Sequence, residues 1–247
     1  MIKKSPKPKP LRHVRRTLFT LSGYLILTAS SSGTELALVN ADTPSHVSIT
    51  LGAGYTSGYV DRGEFSGKDL LEFGLEASGS AEFCYLGEVT LTGGLSYASY
   101  SGGKEFTIHG EVSRDLGPFR IATGIINDSY FGSETTMNDD LESYLALETD
   151  LAGFSIGVMA CHDASDGYGY DMYWECFAQY VMDLGSLSLG LSATSGYFDD
   201  SVEYCALSVF LDIPVSDRIN LSTHFTTTFS EDLGDHTFVG IGIGFGL

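Results

Sequence analysis

Basic residues are scarce beyond position 16, and that scarcity excludes whole classes of function. Past Arg16 the only Lys or Arg residues are Arg62, Lys68, Lys104, Arg114, Arg120 and Arg218. A chain starting at residue 42 sets these six against 31 acids, a net charge of −25 with His neutral. Such a surface cannot hold nucleic acid, whose binding rests on Lys and Arg at phosphates. Electrostatic docking on anionic lipid is equally poor. Long apolar runs are lacking too. The longest, Leu18 to Leu27, is broken by Ser22 and Gly23 and falls short of the ~20 residues of a membrane helix. Any membrane crossing therefore falls to strands.

Cysteine is limited to Cys84, Cys161, Cys176 and Cys205, none in Cys-x2-Cys spacing. No cofactor or metal set is expected. Asp139-Asp140, Asp163, Asp166, Asp171 and Asp199-Asp200 match no dedicated calcium loop. Cys161 and Cys176 flank one loop, but alternation puts them on opposite faces, so free thiols are expected even in an oxidising compartment. Acid-rich chains are often disordered, yet 12% aromatic residues and sustained alternation argue for a folded one.

The first 41 residues have the layout of an export signal. Lys3, Lys4, Lys7, Lys9, Arg12, Arg15 and Arg16 precede the short apolar stretch, and Val39-Asn40-Ala41 offers a small-x-small cleavage site. Ser30, Ser32 and Ala37 are alternative cleavage points. Residues 42–247 are then the exported part.

That part repeats. Near-identical turns recur at Tyr85-Leu86-Gly87, Asp115-Leu116-Gly117-Pro118, Asp150-Leu151-Ala152-Gly153, Asp183-Leu184-Gly185 and Pro214-Val215-Ser216-Asp217. From Leu86 through Leu116, Leu151 and Leu184 to Val215, the spacings are 30, 35, 33 and 31 residues. Each interval holds two alternating apolar–polar runs around a polar, Gly-rich loop. This is the mark of strand hairpins. The reading is all-β: a transmembrane up-and-down antiparallel β-barrel of about 12 strands in the outer membrane of a Gram-negative bacterium. Five short turns face the periplasm. Longer outer connections are expected at Tyr59–Lys68, Ser101–Lys104, Phe131–Asp140, Asp163–Asp171, Phe198–Ser201 and Ser230–Asp235.

A two-residue period sorts the faces. Outward, toward outer-membrane lipid, go Val47, Ile49, Leu51, Ala53; Leu71, Phe73, Leu75, Ala77; Val89, Leu91, Leu95, Tyr97; and Val239, Ile241, Ile243, Phe245, Leu247. The opposite face is Gly, Ser and Thr with acids, which suits a curved wall around water. A soluble sandwich alternates likewise. The alternation of turn lengths and the apolar final strand, a recognition element for the outer-membrane assembly machinery, favour the barrel. The faces of Met172–Met182 and Val202–Ile213 are mixed, and their register is open. Tyr168, Tyr170, Tyr173 and Trp174 are expected to form an interfacial aromatic girdle.

The segment Tyr55-x-Ser57-x-Tyr59-Val60-x-Arg62-Gly63 resembles the opening of the TorF-type porins, in which Ser-x-Tyr-Val-Phe-Arg-Gly follows the first strand. Here Asp61 stands at the Phe position. The resemblance spans about nine residues and is moderately specific. It implies a small outer-membrane barrel of porin-like or unknown role, without catalytic residues.

The candidate pore-lining residues are Arg62, Glu72, Glu76, Glu111, Arg120, Glu142 and Glu148, with Glu175 and Glu203 on the same parity. Carboxylates in a narrow pore attract cations, so passive, weakly cation-selective diffusion of small polar solutes is expected. The alternative is a closed structural or interaction barrel, its lumen plugged by ion pairs. An outer-membrane hydrolase is the poorest reading. It would draw on His162-Asp163 or Asp235-His236, but such groups must come within hydrogen-bond reach of each other. His46-x-Ser48 lies at the wrong end of its strand. Oligomeric state carries no sequence signal.

Overall fold

The computed structural model describes residues 47–61, 64–83, 87–131, 138–164, 172–198, 201–230 and 234–247. The expected export segment, Arg62 and Cys84 lie outside them. Twelve strands follow in order: β1 (Val47–Asp61), β2 (Glu64–Phe83), β3 (Gly87–Tyr100), β4 (Gly103–Leu116), β5 (Phe119–Phe131) and β6 (Asn138–Leu151). Then come β7 (Phe154–Asp163), β8 (Met172–Asp183), β9 (Ser188–Phe198), β10 (Ser201–Ser216), β11 (Ile219–Phe229) and β12 (His236–Gly246). Each pairs antiparallel with its chain neighbours, and β1 pairs with β12, Leu51 opposite Phe245, to close an all-β barrel. Closure leaves no sheet edge with unmet hydrogen bonds. The shortest strand, β7, has 10 residues, within the ~9–11 a tilted strand needs to cross a bilayer.

The short turns fall where the repeat puts them. Gly117, Gly153 and Gly185 each adopt positive φ at a seam, a conformation that costs glycine little. Face assignment follows the two-residue period: Leu71, Phe73, Ile241 and Phe245 are exposed on the outer wall. Val89 keeps that parity but is buried at 5% exposure. The Arg114 guanidinium lies over this corner, 3.4 Å from where a Cβ on Gly87 would be. Trp174 is outward and exposed, opposite Tyr197, in keeping with a girdle, whereas Tyr173 departs from that expectation and is buried on the inner face; Tyr168 and Tyr170 lie outside the described residues.

Two expected loops are largely strand. β1 and β2 stay paired up to Asp61 and Glu64, through a bulge at Tyr59/Val60, so the described residues of the expected Tyr59–Lys68 connection are strand. The Tyr59 ring packs on Tyr100 at 4.8 Å, and the Tyr55 hydroxyl donates to Asp69 at 2.7 Å. Ser101–Lys104 contracts to a turn at Ser101 and Gly102. That turn is tied down because the Ser101 amide donates to the Lys68 carbonyl at 2.9 Å and Ser101 Oγ accepts from the Lys68 amide at 2.8 Å.

The open registers are resolved. Along β8, Tyr173, Glu175, Phe177 and Gln179 are buried inward, while Trp174 and Cys176 are exposed. In β10 a bulge between Val202 and Tyr204 resets the alternation, after which Tyr204, Ser208, Phe210 and Asp212 are buried inward. Cys161 is buried, Cys176 is exposed on the other face, and both are free thiols.

Candidate functional site

The lumen has two halves of different construction. In the half toward the longer connections, β4 to β10 bring buried acids and tyrosines together. Glu105, Asp128, Asp140, Glu142 and Glu175 all have exposures of 7% or less. Glu72, on β2, is separated from Glu105 only by Ala98, register partner of both. Glu105 accepts from the Tyr59 hydroxyl at 3.2 Å. Thr107, with one proton to give, donates to Asp128 at 2.6 Å in preference to its 3.2 Å approach to Glu105. Glu175 accepts from Tyr173 at 3.0 Å and from Tyr204 at 2.9 Å, the two phenol oxygens being 2.8 Å apart. This half thus gathers carboxylates that accept from tyrosine and threonine hydroxyls.

In the half toward the short turns, the inward residues are small and partly exposed: Ser48, Thr50, Gly52, Gly74, Ser78, Ser222 and Gly242. Its charged centre is Arg120, whose guanidinium meets Glu111 at 2.7 Å and Glu148 at 3.2 Å and donates to Ser113 at 3.1 Å. The Tyr144 hydroxyl donates to Glu111 at 2.8 Å. Glu76 approaches His109 at 3.7 Å.

Of the sequence-expected lining residues, Glu72, Glu76, Glu111, Arg120, Glu142, Glu148 and Glu175 all face inward. Arg120 gathers Glu111 and Glu148, Glu72, Glu142 and Glu175 belong to the acidic belt, and Glu76 lies apart beside His109. Arg62 lies outside the described residues, and so does the side chain of Glu203. The sequence reading missed Glu105, Asp128 and Asp140. Glu105 is one alternation step before Thr107 and Asp128 two after Ile126, so parity alone points to the first two. Asp140, expected at the end of the Phe131–Asp140 connection, lies in β6, which begins at Asn138.

Lumen rings share one arrangement. Phe177, Phe210, Tyr204, Tyr144, His109 and His224 face Gly157, Gly190, Gly196, Gly124, Gly94 and Gly240 respectively as direct cross-strand partners. In each case the ring occupies the space that a Cβ on the glycine would need. The rings therefore lie flat along the wall instead of crossing the lumen, as when an aromatic covers a strand glycine.

The side chain of Asp163 lies outside the described residues, so the His162-Asp163 pair does too. Ser48 Oγ is bonded to Ser78 Oγ at 2.7 Å on the inner wall, and His46 lies outside the described residues.

No protein-family model and no curated protein sequence matches the chain. Solved structures match its fold. It superposes on the KdgM porin in complex with disordered oligogalacturonate with a TM-score of 0.51 at 13% identity, covering 80% of this chain and 98% of that one. The NanC porin gives a TM-score of 0.50 at 11% identity, covering 80% of this chain and 98% of the porin. The Salmonella typhi outer membrane phospholipase, crystallised as a dimer with bound calcium, gives 0.50 at 17% identity, over 84% of this chain and 93% of that chain. The chain thus shares the twelve-stranded barrel fold of small outer-membrane proteins.

Proposed function

We propose that this protein is a small outer-membrane barrel of porin type that passes small polar solutes with a weak preference for cations. The observation that carries the reading is the inner wall: among the described residues Arg120 is the one inward guanidinium, already held by Glu111 and Glu148, while acids line both halves. An exposed apolar outer wall, with Leu71, Phe73, Ile125, Leu145 and Ile241 among its residues, supports a lipid setting, since soluble monomers rarely expose so continuous a patch. The likeness in fold to KdgM and NanC, and the resemblance at Tyr55–Gly63 to the TorF-type porins, support the same role. Delivery by the export and outer-membrane assembly machineries follows from it.

Purified, heat-modifiable protein in planar bilayers tests this. Discrete conductance steps are expected, with a reversal potential favouring cations. Glu72→Gln combined with Glu76→Gln is expected to reduce that preference most at low salt, because the Debye length of ~8 Å at physiological ionic strength shrinks further as salt rises. Glu111→Gln should add little, its charge being held by Arg120. An unchanged reversal potential in the double variant of a conducting barrel refutes the acidic filter.

One observation favours a closed barrel as the second reading: Tyr173 and Asp128 have 0% exposure and Glu142 and Glu175 1%, so the belt is packed. Silence from correctly folded protein in the same recordings selects that reading.

A further inference from the structure

At the short-turn end of the lumen lies a group that neither the acidic belt nor the Arg120 cluster uses. Asp212, near the end of β10, is 5% exposed; neither carboxylate oxygen makes a hydrogen bond of good geometry, and its hydrogen-bonding neighbour is the side chain of Asn220. Asn220, at the start of β11, interacts with it and also buries a side-chain carbonyl oxygen that receives no hydrogen bond. The register puts Ser188 and Ser222 directly across from Asp212 on its two neighbouring strands, on the same inward parity. A buried carboxylate with a single amide neighbour is poorly compensated, and a positive species would relieve that cost.

We propose that Asp212 and Asn220, flanked by Ser188 and Ser222, form a site for a hard cation such as Ca2+. The donor set is all oxygen, one carboxylate, one amide carbonyl and hydroxyls, which suits Ca2+ over thiolate- or imidazole-seeking metals. No group of three or more His, Cys, Asp or Glu among the described residues is placed to hold a metal, so this site depends on neutral oxygens around a single acid. One carboxylate predicts weak binding, with a Kd on the order of 0.1–1 mM as in low-charge extracellular calcium sites. The site does not require the barrel to conduct, so it stands or falls apart from the pore.

The test is a titration of 15N-labelled, refolded protein in detergent micelles with CaCl2, followed through backbone amide shifts. Saturable shifts at Asp212, Asn220 and Ser222 are expected. Asp212→Asn should weaken them at least tenfold while leaving shifts near Glu105 and Glu142 in place. Asn220→Asp should tighten binding, and its folding, checked by heat-modifiable migration, should become calcium-dependent. The competing arrangement is a protonated Asp212 donating to the Asn220 carbonyl. It is selected, and the proposal overturned, if CaCl2 shifts only the belt residues or if Asp212→Asn leaves the whole shift pattern unchanged.

Discussion

The outer half of the lumen and the half toward the short turns are built by the same twelve strands from the same alternation, yet one is filled with large side chains and the other is lined mostly by small ones. Tyr173, Tyr204, Glu105, Asp128 and Glu175 are almost wholly buried, whereas Ser48, Thr50, Gly52, Ser78 and Ser222 keep partial exposure. Wall curvature is shared, so the difference comes from side-chain volume. Tyrosines with carboxylates to receive their protons fill the outer half, while serines and glycines leave the other open. In one half stability rests on buried contacts; in the other it rests on the backbone ladder and a single ion-pair cluster.

Tyr173→Ala is the sharpest way to break this contrast. It removes a fully buried ring and one donor to Glu175, and by analogy with large-to-small core changes it should cost about 3 kcal/mol. Urea unfolding from detergent micelles reads that loss. In a conducting barrel, the same variant should raise single-channel conductance if the packed half is the narrow part of the path.

Gly190→Ala comes next. The new methyl group meets the Phe210 ring, and overpacking of this kind should destabilise by about 2 kcal/mol. Combining it with Phe210→Leu should recover most of the loss. If the double variant is no better than the single, the ring–glycine account fails.

The smallest effect belongs to the open half. Arg120 has 41% side-chain exposure, so Arg120→Met should cost about 1 kcal/mol or less and increase cation preference by freeing Glu111 and Glu148. A loss as large as that of Tyr173→Ala would erase the distinction between the halves.

Sequence pattern reveals the fold more fully than the lumen. The seams and the outward period of β1, β2, β3 and β12 are local properties, visible because lipid demands apolar residues on one face and the inner wall there is small and polar. β8 and β10 hide their register because Phe177 and Phe210 make the inner face as apolar as the outer, and because the bulge before Tyr204 interrupts parity. The inward position of Glu72, Glu76, Glu111 and Arg120 is readable from alternation. Their division into an acidic belt, an Arg120 cluster and Glu76 beside His109 is not, since it depends on pairing across strands and on barrel stagger. Asp140 went unseen for a different reason: a run of acids looks like solvated loop until its strand partners are known.

The facing of lumen rings and glycines has a consequence for how the barrel is put together. A hairpin slipped by two residues keeps every side chain on its proper face, so inward–outward alternation cannot detect the error. The rings can. In the native register Phe210 covers Gly190; a two-residue slip would set it against Ser188 or Ser192. Phe177 would exchange Gly157 for Ser155 or Met159, and Tyr144 would exchange Gly124 for Ala122 or Ile126. Each wrong partner has a Cβ where the ring must lie. The glycines thus act as a proofreading code for strand pairing, written within the hairpins that the longer connections join and readable only when neighbouring strands meet.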